Sequence, residues 1–464
     1  MRKVSDSMVM GALPEQVDVA VVGGGVGGYV AAIRAAQLGK SVTLVEKGKL
    51  GGHCLNYACI PSKTLIHISD LFYEAQHSQK FGINVGNATI DAKKMLEWRM
   101  GASKKLEDGV TFLCKANGVE ILKGSATFIS SSSIQLTDGI VLEFEKAIIA
   151  TGSEPTELKG FEFGNGIIDY KQALMLDRIP ASMLIIGAGY VSVEIGTLYA
   201  KLGTKVTILA RSDVLSHFDR DAVDLVKKRM MDLGVNIKTG VTPSARQNNS
   251  VTLSDGSSIA AEIIVVATGL SPYTKGLGLE NTKVQLDQKG FIKVNDSLQT
   301  TDPNIFAVGD VIGEPLLAHK AIRQGVVAGE AASGAGSVYS NIVVPAVIFS
   351  DPEIAIAGDV EEGNGIRVTK FPLSGIGRAV ALDTTKGFVK IAYEDDGLVK
   401  GIEIVSPNAN SMIAEAALAI EMGATLEDIA DTIHPHPTYS EAIQEAAEGA
   451  LGRGIHFFYG KKAK

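Results

Sequence analysis

The sequence predicts an α/β protein in which two parallel-sheet units are followed by a smaller α+β domain. Two stretches have the same order of apolar strand, glycine-rich turn, helix and second strand, and they begin at Val17 and Met183. Short, continuous apolar strands are typical of parallel sheets that are covered on both faces. From Val343 onward the chain has alternating strands, then an apolar helix, and no glycine-rich turn. That change predicts a separate C-terminal domain.

The first unit has the residue types that bind the phosphates of a dinucleotide. Its first strand leads into a turn that contains Gly23, Gly25 and Gly28, and its second strand ends on Glu46. The glycines allow a tight turn, close approach of a pyrophosphate to a helix N-terminus, and close packing of helix on strand. A carboxylate at the end of the second strand binds a ribose hydroxyl. We therefore interpret this unit as a Rossmann-like dinucleotide-binding domain.

The second unit departs from that pattern at two positions. Gly187 and Gly189 form its turn, but Ser192 occupies the third glycine position, and the second strand ends at Arg211 without a carboxylate. A carboxylate there selects the free 2′-hydroxyl of NAD, whereas an arginine accommodates the 2′-phosphate of NADP. The sequence thus predicts a second Rossmann-like domain that binds NAD or NADP, and Arg211 favours NADP.

Two more apolar strands end in the dipeptide Thr-Gly, and each closes one unit. We expect Thr151, Gly152 and Gly269 at these ends to mark crossings between domains and to lie beside bound cofactors. A later strand ends on the carboxylate of Asp310. The predicted domains are residues 1–152 together with 272–337, residues 153–271, and residues 341–464.

Composition excludes several classes of function. The chain has 45% hydrophobic and 21% charged residues and a net charge of -8, which gives no basic surface for nucleic acid or an anionic membrane. We find no apolar run long enough to span a membrane. The apolar patch Met8–Leu13 is too short for a secretory signal peptide, so we expect a cytoplasmic protein.

The cysteines point to redox chemistry. Cys54 and Cys59 are the one close pair among three cysteines, and no second Cys or His pair follows nearby to complete a metal site. A structural disulfide across so short a loop would add little stability. A helix N-terminus can lower the pKa of a thiol, so a redox-active disulfide fits the pair best. Cys114 is expected to be a buried thiol.

These motifs together resemble those of the flavoprotein disulfide reductases. The resemblance extends over residues 17–459 in the same order of parts, and the cysteine segment ending Cys-Ile-Pro-Ser-Lys is specific to that family. Ile60 and Ser62 favour its dihydrolipoamide dehydrogenase branch, as does an Ala-His-Lys-Ala segment whose Ala318 and His319 are expected beside the cofactor. The resemblance implies one FAD at the first site, NAD or NADP at the second, and a C-terminal dimerisation domain.

The resemblance also implies roles for the catalytic residues. The sulfur of Cys59 would stack on the flavin, whereas Cys54 would exchange with the substrate. His436, in a His-Pro-His-Pro-Thr-Tyr-Ser-Glu segment, would be the general base, and Glu441 would orient it. In the family this histidine comes from the partner subunit, so a homodimer is expected.

Other positions match residues that surround the flavin in the family. Lys63 and Glu194 match the ion pair beside flavin N5 on the nicotinamide side. Asp310 matches the acid that hydrogen-bonds the ribityl chain of FAD. Tyr190 matches an aromatic gate that moves when nicotinamide binds.

The resemblance to the dihydrolipoamide dehydrogenase branch implies a substrate, and two other functions stay open. Dihydrolipoamide or a lipoylated protein would be oxidised, and a 2-oxoacid dehydrogenase complex is a further expected partner. An NADPH-dependent reductase of a low-molecular-weight disulfide is the alternative, which the missing carboxylate beside Arg211 favours. A non-catalytic docking subunit is a third hypothesis, which the intact cysteine pair and His436 oppose. The chain departs from the family pattern at His53 and at the pair Tyr57-Ala58, and its stretch Gly358–Ile366 is shorter than the family's.

Overall fold

The computed structural model describes residues 14–457. The patch Met8–Leu13 and the outer ends of the predicted domains 1–152 and 341–464 lie outside the described residues. The chain divides into two compact units, one made of residues up to 60, 101–154 and 270–340, and the other of residues 61–100, 155–269 and from 341 onward. The predicted domain boundaries stay a prediction.

The strands, numbered along the chain, are β1 Glu15–Val22, β2 Val42–Glu46, β3 Glu120–Lys123, β4 Ala126–Ser130, β5 Ser133–Leu136, β6 Val141–Ile149, β7 Ser153–Pro155, β8 Ile167–Ile168, β9 Ser182–Ile186, β10 Lys205–Ala210, β11 Asn236–Thr239, β12 Pro243–Gln247, β13 Ser250–Leu253, β14 Ser258–Ala260, β15 Ile263–Val266, β16 Leu270–Pro272, β17 Ile305–Ala307, β18 Ala346–Ile348, β19 Glu353–Gly358, β20 Arg367–Pro372, β21 Phe388–Tyr393 and β22 Val399–Ser406. The helices are α1 Val26–Gln37, α2 Gly52–Asn56, α3 Cys59–His77, α4 Ala92–Ala116, α5 Tyr170–Ala173, α6 Tyr190–Lys201, α7 Arg220–Asp232, α8 Ala318–Ala332, α9 Gly377–Ala381, α10 Ala409–Glu421, α11 Leu426–Ala430 and α12 Glu441–Ala450.

The first unit is built on a sheet with strand order β3-β2-β1-β6-β5-β4. Strands β1, β2, β3 and β6 are parallel, and β17 extends this part by pairing with the second half of β6. Helices α1 and α8 cross at glycines, because an added Cβ on Gly325 or Gly329 would overlap the carbonyl oxygen of Gly27 or Ala31. This close packing leaves the N-terminus of α1 free to face the end of β1.

The second unit repeats this plan. Its parallel sheet has the order β11-β10-β9-β15-β8, so the central strand β9 lies between β10 and β15 as β1 lies between β2 and β6. A separate antiparallel sheet has the order β18-β19-β22-β21-β20 and carries α10 and α12 on an apolar core. The predicted α/β fold class, with two parallel units and a C-terminal α+β part, is confirmed.

Two elements have ends that differ from those that the sequence predicts. The sequence predicts the first helix over Tyr29–Leu38, but α1 begins at Val26, because Gly25 already serves as its N-cap in extended conformation. The predicted strand that ends at Asp310 is shorter than expected. Strand β17 ends at Ala307, and Asp310 lies in a 3₁₀ turn over Gly309–Ile312.

A row of charges crosses the antiparallel sheet. Lys370, Lys390 and Glu403 are cross-strand neighbours on β20, β21 and β22. The two lysines form ion pairs of 2.6 Å with Asp221 and Asp219 at the start of α7. Glu403 is fully buried, and neither carboxylate oxygen has a hydrogen-bond partner among the described residues. Burial raises the pKa of Glu403 to about 7.

We expect the stability of Glu403→Gln to differ from the parent in a pH-dependent way. A carboxyl whose pKa is raised in the folded state lowers stability as pH rises from about 4.5 to about 7. The variant avoids this loss, so above pH 7 its free energy of unfolding should exceed that of the parent by up to about 3 kcal/mol. Thermal unfolding followed from pH 5 to 8 measures the difference. Glu362→Gln, at an exposed position, is the control, and an equal effect at all pH values would contradict the assignment.

Candidate active site

The glycine turn of the first unit is tight on the protein side and open on the outer side. Gly23 has φ +104°, and an added Cβ would overlap the carbonyl oxygen of Ala150. A Cβ on Gly28 would overlap the carbonyl oxygen of Gly23. Gly25, in contrast, has no atom of residues 14–457, its chain neighbours apart, within 4 Å of an added Cβ. The turn therefore leaves space at Gly25 for a ligand to approach the N-terminus of α1.

The carboxylate of Glu46 is fixed beside this turn. One oxygen accepts the backbone N–H of Gly24 at 2.6 Å, and the other accepts the N–H of Gly48 at 2.6 Å. A carboxylate has about four lone-pair positions, so it can still accept ribose hydroxyl groups. Both contacts hold the carboxylate of Glu46 beside the glycine turn, and its role in ribose binding stays a prediction.

The cysteine segment packs directly on the same turn. The N–H of Gly51 donates to the carbonyl of Gly24 at 2.8 Å, and a Cβ on Gly52 would lie only 2.7 Å from Cα of Gly25. Gly51 and Gly52 both have positive φ, +86° and +56°, a conformation that favours glycine. The glycine pair thus brings α2, which carries Cys54, against the phosphate turn.

The cysteines occupy different environments. Cys54 on α2 and Cys59 at the start of α3 are half-buried, whereas Cys114 is buried. Burial raises the pKa of Cys114 to about 11, which keeps it a thiol. Burial also raises the pKa of Tyr29, and nearby Cys54 and Cys114 contribute. The sequence expectation that Cys114 is a buried thiol is confirmed.

The two unusual residues around the cysteines contact one another. The rings of His53 and Tyr57 meet edge to face, with centroids 6.0 Å apart and planes at 89°. Asn56 donates to the carbonyl of Leu50 at 2.8 Å, which holds the end of α2. The departures at His53 and Tyr57 therefore form one aromatic contact within the segment.

Lys63 and Glu194 form a two-oxygen ion pair. The ammonium of Lys63, on α3, lies 3.0 and 2.9 Å from the two carboxylate oxygens of Glu194, on α6. Glu194 is only 5% exposed and also accepts the N–H of Phe349 at 3.1 Å. The ammonium lies 4.1 Å from the centre of the Phe349 ring. Phe349 was missed from the sequence because no local motif marks it.

Asp310 lies in a largely buried position. Ser153 donates a hydrogen bond of 2.7 Å to its carboxylate, and burial raises the pKa of Asp310 against the opposing effects of Ser153 and Lys320. Thr151 donates to the carbonyl of Tyr273 at 2.7 Å. The N–H of Tyr273 donates to Gly152. Ser153 was missed from the sequence because its partner lies far along the chain.

The turn of the second unit has the same geometry. Gly187 has φ +118°, and an added Cβ would overlap the carbonyl oxygen of Ala267. Gly189 has no atom within 4 Å of an added Cβ. Ser192 takes the third glycine position, fully buried and without a hydrogen-bond partner for its hydroxyl among the described residues. Gly269, with φ +147°, follows β15 near this turn.

Four other candidate residues lie at the ends of elements. Tyr190 is the first residue of α6 and is 39% exposed. Arg211 is exposed directly after β10. Ala318 begins α8, and His319 is exposed in its first turn.

His436 and Glu441 form the expected pair. Nδ1 of His436 lies 2.8 Å from one oxygen of Glu441, and the other oxygen accepts the N–H of Thr438 at 2.8 Å. Glu441 is fixed as the first residue of α12. The side chain of His436 is 75% exposed, so its Nε2 is open to a substrate. A carboxylate on Nδ1 leaves Nε2 as the basic nitrogen.

His434 differs from its neighbour because both ring nitrogens face acceptors. Nδ1 lies 2.9 Å from the carbonyl of Thr432, and Nε2 lies 2.7 Å from Glu415. A carbonyl and an ionised carboxylate only accept hydrogen bonds, so the imidazolium form of the ring is the one that satisfies both contacts. The bond to Glu415 accordingly raises the pKa of His434, and Glu441 adds to the effect.

Comparison with known proteins agrees with this arrangement. Residues 17–325 match the family profile described as pyridine nucleotide-disulphide oxidoreductase, and residues 344–447 match the profile of its dimerisation domain. The chain belongs to this family. The expected resemblance is confirmed, and the chain is an oxidoreductase with a dimerisation domain.

Individual relatives cover nearly the whole chain. A dihydrolipoyl dehydrogenase of Geobacillus stearothermophilus is 46% identical over 97% of this chain and 99% of its own length. The crystal structure of LpdA from Mycobacterium tuberculosis has a TM-score of 0.87 at 28% identity, covering 94% of this chain and all of that one. The HOCl-induced flavoprotein disulfide reductase RclA from Escherichia coli has a TM-score of 0.84 at 25% identity, covering 93% of this chain and 99% of that one.

No helix within residues 14–457 is long and apolar enough to cross a membrane.

We expect His434→Gln to destabilise the fold more at low pH than at high pH. A raised folded-state pKa gives His434 a stabilising effect that is full below about pH 6.5 and lost as pH rises through the folded value. The deficit should be roughly 1 to 2 kcal/mol at pH 6 and smaller at pH 9. Thermal unfolding at both pH values, with exposed His217→Gln as control, measures it. A deficit that grows with pH would contradict the imidazolium assignment.

Proposed function

We propose that this protein is a dihydrolipoyl dehydrogenase, which oxidises dihydrolipoyl groups through Cys54, Cys59 and FAD and reduces NAD or NADP. The observation that carries the proposal is the packing of the cysteine segment on the first phosphate turn, through Gly51 and Gly24. It brings a cysteine pair beside a dinucleotide site. The names of the relatives with 46% and similar identity support the same substrate.

The first turn fits FAD. The open space at Gly25, between the closed positions Gly23 and Gly28, suits a pyrophosphate. Glu46 would bind the ribose, and Asp310 would hydrogen-bond the ribityl chain. When bound, FAD supplies electron transfer between the dithiol and the nicotinamide.

The protein's own groups carry the thiol chemistry. His436 takes a proton from the substrate dithiol at Nε2, and Glu441 holds the resulting imidazolium. The substrate thiolate attacks the disulfide at Cys54, and Cys59 leaves as a thiolate. The second substrate thiol then attacks the mixed disulfide and its proton passes to the departing sulfur of Cys54, which releases the oxidised lipoyl disulfide and leaves Cys54 as a thiol, Cys59 as a thiolate and His436 protonated.

The second site would hold the nicotinamide nucleotide. Gly187 and Gly189 would receive its pyrophosphate, and Tyr190 would cover the flavin until nicotinamide arrives. Lys63 and Glu194 form an ion pair that is fixed by Phe349, and we assign it to the flavin edge where hydride passes.

The position of the proposed general base, His436, supports a homodimer. His436 is exposed within its own chain, which supports its use by the partner subunit of a homodimer. We further propose a lipoylated protein as the natural substrate, a 2-oxoacid dehydrogenase complex as a partner, a cytoplasmic location, and domain boundaries near residues 152, 271 and 337. Thr151, Gly152, Gly269, Ala318 and His319 would line the cofactors.

An NADPH-dependent disulfide reductase is the second candidate. The exposed Arg211 and the absence of a carboxylate at the end of β10 support it. The reaction would then run from NADPH to a small disulfide through the same cysteines.

Steady-state oxidation of dihydrolipoamide with NAD or NADP tests the function. We expect turnover in the parent, a loss of at least about 100-fold in His436→Gln because the base is absent, and a larger loss in Cys54→Ser. Cys114→Ser, which alters a buried thiol outside the site, should remain active. Failure of the parent with both nucleotides, while NADPH reduces its flavin, would favour the second candidate.

Gly25→Ala tests the FAD site without straining the protein. Among the described residues, the added methyl meets no atom within 4 Å beyond its chain neighbours, but it enters the space assigned to the pyrophosphate. We expect a well-folded protein, by circular dichroism, that carries much less flavin per chain. Gly101→Ala, also in open space, is the control and should retain flavin. Full flavin content in Gly25→Ala would contradict the assignment.

A further inference from the structure

We propose that the second dinucleotide site is built for NADP, and that Arg211 binds its 2′-phosphate. The proposal deepens the proposed function, on which it rests only for the role of NADP as co-substrate. It begins from a comparison of two equivalent sites within one chain.

The strand registers define which residues correspond. In the first unit Val45 of β2 pairs with Val22, and the carbonyl of Val45 accepts the N–H of Gly23 at 2.9 Å. In the second unit Leu209 of β10 pairs with Ile186. Its carbonyl likewise accepts the N–H of the turn glycine at 3.0 Å. The residues that follow, Glu46 and Ala210, therefore occupy the same place.

At this position the second site lacks the carboxylate that selects NAD. Glu46 presents a carboxylate beside its turn, whereas Ala210 presents only a methyl group and is 1% exposed. No side chain at this position of the second site can accept a hydrogen bond from a 2′-hydroxyl. Nor does it repel a 2′-phosphate.

The nearest carboxylate along the chain is already engaged. Asp213 accepts hydrogen bonds from Lys227 at 2.7 Å and from Arg220 at 2.6 Å. It also accepts the N–H of Val214 at 2.7 Å. The bond to Lys227, followed by the others, lowers the pKa of Asp213. Its charge is thus neutralised by cations and is not available to replace Glu46.

Arg211 remains available beside the turn. It is exposed, and no other described residue forms a hydrogen bond or ion pair with it. The loop that follows is tied to the glycine turn, because the N–H of Leu215 donates to the carbonyl of Ala188 at 2.9 Å. This bond holds the backbone of the loop near the carboxyl end of β10, where the adenosine ribose lies in a Rossmann unit, so the guanidinium of Arg211 can reach that ribose. An arginine there can bind a phosphate through two charge-assisted hydrogen bonds.

Binding of nucleotide fragments to the FAD-loaded full-length protein tests the proposal apart from catalysis. Isothermal titration calorimetry should show that 2′,5′-ADP binds at least about 10-fold more tightly than 5′-AMP. Arg211→Glu should remove this difference. Arg178→Gln, an exposed arginine that pairs with Glu262 near the opposite end of the same sheet, should preserve it. Equal affinity of the parent for both fragments would overturn the proposal.

Kinetics separate this proposal from the proposed function. With dihydrolipoamide as donor, kcat/KM should favour NADP over NAD in the parent and NAD over NADP in Arg211→Glu. Turnover with NAD alone, together with equal fragment binding, would overturn the NADP assignment and leave the function intact. Selective 2′,5′-ADP binding that is lost in Arg211→Glu, without dihydrolipoamide turnover, would support Arg211 and reject the lipoyl substrate.

Discussion

The contact between two glycine segments organises the active region of this protein. The N–H of Gly51 donates to the carbonyl of Gly24, and Gly52 lies so close to Gly25 that a side chain on Gly52 would overlap the Cα of Gly25. Backbone hydrogen bonding then fixes the distance between the dinucleotide turn and α2, which carries Cys54. In the proposed reaction, this contact would set the separation between a dinucleotide bound at the turn and Cys54.

Three carboxylates of the candidate site are fixed by hydrogen bonds within their own parts of the chain. Glu46 is held by two backbone N–H groups, and Glu194 by Lys63 and the N–H of Phe349. Glu441 is held by its helix and the N–H of Thr438. In the proposed function, each carboxylate would therefore need little reorganisation when its ligand binds, because a preorganised charge costs little to use in catalysis.

Much of this could be predicted from the sequence because the signals are local. The glycine turns, the strand end at Glu46 and the cysteine segment each lie within a short stretch, and their backbone needs restrict the residue types. The partners Phe349 and Ser153 could not be predicted, since each meets its carboxylate only through long-range folding. The burial of Glu403 could not be predicted either, because a glutamate in a strand usually faces solvent. Only the packed sheet shows that this side chain is buried.

The matched registers of β2 and β10 have a consequence for how the protein is loaded. The two glycine turns of this chain have the same backbone arrangement. They differ in charge at the position that faces the ribose, which is Glu46 in the first unit and Ala210 followed by Arg211 in the second. A nucleotide that bears a 2′-phosphate would meet like charge at the first turn and opposite charge at the second. The charge at the ribose position would then favour binding of NADP at the second turn and disfavour it at the first, which leaves the first turn to FAD in a cell that contains both.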